Sequence, residues 1–179
     1  MAAMVMTIYL TRIAVLVVFL FSSAQVFTVG SAGHSHMSKL SPAQKAVLAP
    51  ALRDVTGHHT TNILRSFTVY EVPLSDKEPP AIIAISVDVG CGVNPNCEFI
   101  VFRQLGKKDV PILNDVAGDW DLKNTRHHGY RDLELTNYQG VHTVLSIWQY
   151  DGIRSCMSSQ TDRATDGSQK QLPVNRCGI

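Results

Sequence analysis

The chain has 179 residues, of which 45% are hydrophobic and 17% charged, and its formal net charge at pH 7 is +1. This length is typical of one domain with a short terminal extension. Arg12 is the only charged residue before residue 34, so the rest of the chain has 15 basic and 15 acidic residues and a net charge of zero. A neutral domain has no basic field to collect phosphates, which excludes nucleic acid as an expected partner.

Residues 1–33 are typical of an export signal. An apolar block at 13–21 follows Arg12, and small residues follow the block. This order of a basic residue, an apolar block and small residues is that of a secretory signal peptide. The candidate cleavage sites follow Ala24, Ala32 and Gly33. The alternative is an uncleaved anchor, because about 20 apolar residues can span a bilayer. Both predict a periplasmic or secreted domain that meets the membrane only through an uncleaved N-terminal segment.

A helix is predicted directly after a polar tether at residues 34–40. A capping box with proline at the first helical position predicts where the helix begins; its residues are Ser41, Pro42 and Gln44. Apolar residues at helical spacing predict a face that docks on a sheet; they are Val47, Leu48, Leu52 and Val55. Pro50 predicts either one kinked helix or two short helices, and Gly57 ends the helical pattern.

Beyond Gly57 the hydrophobic period falls to two, which predicts β-strands. Strands are predicted at 65–74, 81–90, 97–105, 109–118, 130–138, 141–150 and 153–158. Residues 119–129 are predicted to be a connection, and residues 159–179 a polar, turn-rich tail. The predicted fold class is α+β: an N-terminal helix packed on an antiparallel β-sheet of about five to seven strands, stapled by disulfides. One domain is predicted over residues 41–179.

All four cysteines lie in the exported part of the chain, which predicts disulfides in an oxidising compartment; they are Cys91, Cys97, Cys156 and Cys177. Three connectivities are possible. We prefer Cys91–Cys97 with Cys156–Cys177, because each of these pairs closes a local segment. Zinc is disfavoured because its ligands typically have C-x₂₋₄-C spacing, and a redox pair is disfavoured because C-x-x-C is missing.

The first pair closes a predicted binding loop of five residues: Gly92, Val93, Asn94, Pro95 and Asn96. A disulfide restricts such a loop, so less ordering entropy is lost on contact with a partner. This pattern predicts a loop that enters a cleft of a protein partner. The alternative is that the disulfide only secures the end of a hairpin in a small exported fold.

Several segments together resemble a group of small exported bacterial proteins of uncharacterised function. They are the Cys-Gly…Asn-Cys loop with the aromatic strand after it, then PILND, HHGYRDLEL and IWQYDGIRSC. The resemblance covers roughly residues 82–156 and implies kinship without an established chemistry; Ser155 stands where the group commonly has tyrosine. In architecture the chain also resembles the inhibitor of vertebrate lysozyme, which plugs an enzyme cleft with a cysteine-closed loop containing a histidine. The present loop has no histidine and one more residue between its cysteines.

No metal or cofactor is predicted from the seven histidines. The adjacent pairs at 58–59 and 127–128 point in diverging directions, so each pair can supply at most one ligand. The exception is a copper(II) site at His34-Ser35-His36, if cleavage makes this segment the N-terminus. The segment 124–132 is similar in spacing to a calcium loop, but an arginine and a histidine stand where oxygen donors are needed.

Two further pairs of residues allow alternative interpretations. Asp119 and Asp121 flank Trp120 and could serve glycoside hydrolysis, although such a pair on a turn is more often a solvated cap. Trp148 and Tyr150 share one face of a strand, as core residues or as an exposed stacking stripe, and we prefer the core.

The sequence contains no G-x-S-x-G, H-E-x-x-H or glycine-rich phosphate loop. We therefore predict an exported domain that is not an enzyme and that binds a protein partner, as an inhibitor or an immunity-type protein, through the Cys91–Cys97 loop. The alternatives are a divergent cell-envelope hydrolase and a copper-binding protein that uses His34 and His36.

Overall fold

The computed structural model describes residues 40–87, 91 and 95–174, all of which belong to the unit Ser31–Ile179. The predicted signal at 1–33 and the tether up to residue 39 lie outside the described residues. Among the residues that are described, no helix is long and apolar enough to cross a membrane.

The helix, α1, spans Pro42–Thr56 and begins with the predicted capping box. The Ser41 hydroxyl accepts a hydrogen bond from the Gln44 backbone N–H, and the Gln44 side chain accepts one from the Ser41 N–H. Gln44 also donates to the Glu71 carboxylate. The start of the helix is therefore bonded both to its own cap and to the neighbouring sheet.

The helix continues through Pro50 as one element and ends at Gly57. Gly57 has a φ of 68°, a left-handed conformation that glycine adopts without steric cost. Of the four apolar residues predicted for the docked face, Leu48 and Leu52 are buried and the two valines are partly buried. Of the two alternatives predicted for Pro50, a single helix is the one observed.

Within the described residues, nine strands follow a short 3-10 helix at Ile63–Ser66. Their bounds are β1 Phe67–Val72, β2 Ala81–Ser86, β3 Cys97–Leu105, β4 Lys108–Ala117, β5 Asp119–His127, β6 Tyr130–Gln139, β7 His142–Tyr150, β8 Ser155–Ala164 and β9 Gln169–Gln171. The first sheet has the order β1-β2-β3-β4 and the second has the order β5-β6-β7-β8-β9. Within each sheet, strands that follow one another in sequence pair antiparallel, so the connections join adjacent antiparallel strands.

The predicted combination of an N-terminal helix with antiparallel strands is confirmed, but the strands form two sheets instead of one of five to seven strands. The predicted connection at 119–129 contains β5, and the predicted polar tail contains the second half of β8 and all of β9. Strand β8 has few apolar residues and therefore no strong period of two. It is held as a strand by its pairing with β7, which local sequence does not reveal.

The helix and the two sheets form three layers joined by two clusters of buried apolar side chains. Ile83 and its neighbours on one face of the first sheet pack with Leu133 and its neighbours on the second sheet. Ile82, on the opposite face, packs with Leu52 of α1. Because successive side chains alternate across a strand, a sheet covered on both faces has continuous apolar runs such as that of β2.

Candidate functional site

The predicted Cys91–Cys97 disulfide is confirmed, and it closes the connection between β2 and β3. The Ser86 hydroxyl accepts a hydrogen bond of 3.0 Å from the Glu98 N–H, and its oxygen lies 3.6 Å from Cys91 Sγ. These contacts fix both ends of the loop on the first sheet. Three of the predicted binding residues, and one cysteine of the second predicted pair, lie outside the described residues; they are Gly92, Val93, Asn94 and Cys177.

Asn96 bonds the loop base to the second sheet. Its Nδ2 donates to the Tyr138 carbonyl at 2.7 Å, and its Oδ1 accepts from the Tyr138 N–H at 2.8 Å. Gly118, between β4 and β5, lies against the same tyrosine: a Cβ there would be 2.4 Å from Tyr138 Cδ2. The loop base is therefore anchored on both sheets. This use of the Asn96 amide was not foreseen, because the partner is 42 residues away along the chain.

Three exposed valines lie at the end of the sheets that carries the loop. In the part of the chain that the structure describes, the large exposed apolar residues are Val87, Leu105, Val116, Val141 and Ile153. Val87 directly follows β2, Val116 pairs with Glu98, and Val141 lies in the turn after β6. We call these three valines, together with the exposed Pro95, the loop-end surface.

Two carboxylates near this surface, Glu98 and Asp115, are partly buried. Burial raises the pKa of Glu98, while the charge of His58 acts in the opposite direction. Burial also raises the pKa of Asp115, whose carboxylate accepts the Val116 N–H. Burial therefore opposes ionisation of both acids.

Two aromatic residues of the resembling segments meet at the opposite end of the sheets. The rings of Tyr130 and Tyr150 lie 4.2 Å apart, and the Arg103 guanidinium is 5.6 and 5.8 Å from their centres. Glu78 accepts two hydrogen bonds from Arg103, at 2.7 and 2.6 Å, and a third from the Tyr130 hydroxyl. Burial acts to raise the pKa of Glu78, but these bonds outweigh burial and hold the pKa below its usual value.

We call Glu78, Arg103, Tyr130 and Tyr150 the sheet clamp, because the first two residues belong to the first sheet or its loop and the other two to the second sheet. Tyr150 is buried, and Trp148 is partly buried and packs against the same core. This confirms the preferred interpretation of the strand that carries both aromatic residues.

A polar cluster that no sequence motif indicates lies on the β5–β6 hairpin. Asp132 is 1% exposed; its Oδ1 lies 2.7 Å from His127 Nδ1, and its Oδ2 accepts the Thr125 hydroxyl at 2.6 Å. A buried carboxylate that bonds one imidazole nitrogen fixes the orientation of the ring. The His127 side chain is 44% exposed, so its second ring nitrogen is left for contact with solvent or a substrate.

This histidine lines a cavity of about 280 Å³ at the end of the second sheet. The cavity is also lined by His128, Gln149, Asp151 and Ser158. The Ser158 hydroxyl donates to the Ile147 carbonyl at 3.2 Å. The signal that could have identified the His127–Asp132 pair is its spacing of five residues across a turn containing glycine, which brings both side chains onto one hairpin.

The other predicted site residues have structural contacts. Asp119 accepts the Trp120 N–H at 2.8 Å, as a cap does, and Asp121 forms an ion pair of 3.7 Å with Lys123. In the segment that is similar to a calcium loop, Arg126 donates to the Gly129 carbonyl. Within residues 40–87, 91 and 95–174, no three His, Cys, Asp or Glu side chains are grouped so that they could hold a metal ion. The copper-site alternative at His34-Ser35-His36 lies outside the described residues.

Comparisons of the chain with protein-family models, with curated proteins and with solved structures find no match. The function of the chain must therefore be inferred from its own residues and their chemistry. The resemblance to small exported bacterial proteins stays a prediction.

Proposed function

We propose that the chain is an exported, non-catalytic binding domain that contacts a protein partner through the loop-end surface and the disulfide-closed loop within it. The observation that supports this most directly is the anchoring of the loop base on both sheets by Cys91–Cys97 and Asn96. An inhibitor or an immunity-type protein is the kind of binding domain that such a loop suits.

Preorganisation is the physical reason why this end of the molecule suits binding. A loop whose two ends are fixed has less freedom to lose when it contacts a partner, so more of the contact energy appears as affinity. The three exposed valines add apolar area that a partner would remove from water. The partner surface with the best complementarity is therefore an apolar cleft instead of a strongly charged face.

Charge-introducing variants test this proposal. The purified protein is prepared with Val116→Lys or with Val141→Lys. We expect each substitution to weaken capture of the partner from a periplasmic or extracellular extract by about tenfold or more. Asn94→Ala tests the loop itself without disturbing the Asn96 bonds to Tyr138. The matched control is Ile153→Lys, because Ile153 is 81% exposed and lies at the opposite end of the second sheet. Unchanged capture by both valine variants, or an equal loss in the control, would reject the loop-end surface as the interface.

A hydrolase is the second candidate, and the His127–Asp132 pair beside the 280 Å³ cavity favours it. In such an enzyme, His127 would take a proton from a water molecule as that water attacks the substrate, and Asp132 would stabilise the imidazolium that forms. Water would be the nucleophile, because the Ser158 hydroxyl already donates its hydrogen bond to the Ile147 carbonyl.

A matched pair of histidine variants tests the second candidate. His142 Nδ1 lies 3.0 Å from Asp162 Oδ1, so the chain has a second His–Asp pair on the same sheet. For a hydrolase we expect His127→Ala to lower the hydrolysis of nitrophenyl esters or nitrophenyl glycosides by about 10²–10⁴-fold, with His142→Ala close to the native rate. Native protein without activity on either substrate class, or equal losses in both variants, would remove this candidate.

A further inference from the structure

A second cavity, of about 460 Å³, lies between α1 and strand β4. The helix contributes Val47, Ala51 and Val55 to its wall, and β4 contributes Pro111. This volume is within the range of small-molecule sites in proteins. None of the residues that line this cavity belongs to the loop-end surface or to the His127 cavity. An inference about this cavity is therefore independent of the proposed function.

Asp109 gives this apolar cavity its chemistry. The residue lies on β4, lines the cavity and is 8% exposed, and no described residue donates a hydrogen bond to its Oδ2. Burying a carboxylate without a partner is unfavourable, because the charge is removed from water without compensation. Burial accordingly raises the pKa of Asp109. A group held in this way on the wall of a cavity is a candidate for binding a ligand.

The remaining charges at the cavity do not neutralise Asp109. Lys107 and Lys108 are exposed residues at the β3–β4 turn, and among the described residues neither forms an ion pair with Asp109. Asp54 lies at the rim, in the last turn of α1, where the helix dipole is negative. Asp109 Oδ2 therefore lacks a hydrogen-bond donor, and a positively charged donor would also compensate the charge of this carboxylate.

We propose that this cavity binds a primary alkylammonium group, with the ammonium donating to Asp109 and the alkyl chain lying along Val47, Ala51 and Val55. An ammonium supplies the missing donor and the compensating charge, and an alkyl chain fills the apolar walls. An anion would instead be repelled by the Asp109 carboxylate. The same chemistry occurs in free diamines and in the lysine side chains of proteins.

Calorimetric titration of the exported chain tests the proposal with two probes, 1,5-diaminopentane as a free amine and Nα-acetyl-lysine methylamide as a lysine side chain. We expect saturable binding of at least one probe and no binding of 1-pentanol, which has the alkyl chain without the charge. Binding of the diamine alone identifies a small amine as the ligand, and binding of the lysine derivative identifies a protein side chain. If neither probe binds, or if 1-pentanol binds equally well, the proposal is overturned.

The variant Asp109→Asn keeps the shape of the side chain and removes its charge. We expect it to weaken amine binding by about tenfold or more. We also expect it to raise the unfolding temperature without ligand, since an uncompensated buried charge is gone. The control is Asp54→Asn at the rim, whose exposed carboxylate is in water, so its affinity should change by less than about threefold. Equal binding by native protein and Asp109→Asn would overturn the assignment to Asp109, and the unfolding curve shows in the same samples that the variant is folded.

Discussion

Gly118 and Asn96 show how single residues hold the loop base in place. Asn96 contacts the backbone of Tyr138 through both atoms of its amide group. Gly118 allows the ring of the same tyrosine to approach the chain between β4 and β5, where a Cβ would lie 2.4 Å from Tyr138 Cδ2. The lack of a side chain at 118 is therefore a packing requirement and does not depend on an unusual backbone conformation.

We expect Gly118→Ala to lower the free energy of unfolding by about 1–3 kcal/mol, because the added methyl group overpacks against the Tyr138 ring. Urea denaturation monitored by circular dichroism measures this change. The control is the same substitution in a Tyr138→Ala background, where the ring is absent and the penalty should largely disappear. Additive effects of the two substitutions would show that the ring is not the cause.

At the scale of elements, the sheet clamp connects the two sheets at the end opposite the loop. Glu78, in the connection between β1 and β2, reaches Arg103 on β3 and Tyr130 on β6. The side chains of Glu78 and Arg103 are 29% and 24% exposed, so solvent weakens their ion pair less than it weakens a fully exposed pair.

The lowered pKa of Glu78 makes the clamp sensitive to acid. The stabilisation is complete above the ordinary glutamate pKa of about 4.3 and is lost as the pH falls through the lower pKa of the folded state. We expect Glu78→Gln to lower the free energy of unfolding at pH 7 by about 1 kcal/mol. We also expect its stability to fall less steeply than that of the native protein below pH values of about 4.

Urea titrations at a series of pH values compare the native protein with Glu78→Gln. Asp76→Asn is the control, because Asp76 pairs with Arg126 at 3.0 Å while its side chain is 77% exposed. Its pH profile should run parallel to that of the native protein. Parallel profiles for Glu78→Gln as well would mean that the clamp contributes nothing through its charge.

An element can be predicted from the sequence when the residues that stabilise it are close neighbours along the chain. The start and end of α1 follow from neighbours within one turn, Ser41 with Gln44 and then Gly57, and both were predicted. Strand β5 has an alternation of Trp120 and Leu122 with polar residues, but its acidic and basic positions concealed the period. Strand β9 has three exposed residues and exists through its pairing with β8, so no local pattern could predict it.

The candidate site was predictable to a similar extent. The Cys91–Cys97 disulfide followed from the spacing and the predicted oxidising compartment, and the disulfide is confirmed. The bonds of Asn96 to Tyr138 and the burial of Asp109 depend on residues brought together by the fold. Such contacts between distant segments leave no trace in one sequence, because each residue by itself is an ordinary loop or strand residue.

At the scale of the whole molecule, the three layers share the first sheet. One face of that sheet packs with the second sheet and the other packs with α1, through Ile83 and Ile82 respectively. Among the described residues, the buried apolar contacts of the helix are in the cluster it shares with the first sheet, so a change in the helix reaches the second sheet through the first. This arrangement predicts that the described domain unfolds in one cooperative transition, since no layer has a core of its own.

Leu52→Ala tests this cooperativity, because Leu52 is fully buried in the cluster on the helix side of the first sheet. We expect a loss of about 2–5 kcal/mol from the removed methyl groups and the cavity left behind. The reporter on the far side is Trp120, whose ring centre lies 6.2 Å from that of Tyr70 and 6.0 Å from that of Phe99. A Trp148→Phe background leaves Trp120 as the sole tryptophan.

In that background, Leu52→Ala should move the urea midpoint of Trp120 fluorescence and that of far-ultraviolet circular dichroism by the same amount. The shared first sheet requires this, because the Trp120 environment cannot persist once the strand bearing Phe99 has unfolded. If the fluorescence midpoint stayed at its value without Leu52→Ala while the dichroism midpoint fell, the helix would be unfolding alone. The two sheets would then be stable without the helix, and the helix wall of the cavity between α1 and β4 would be the least stable part of the fold.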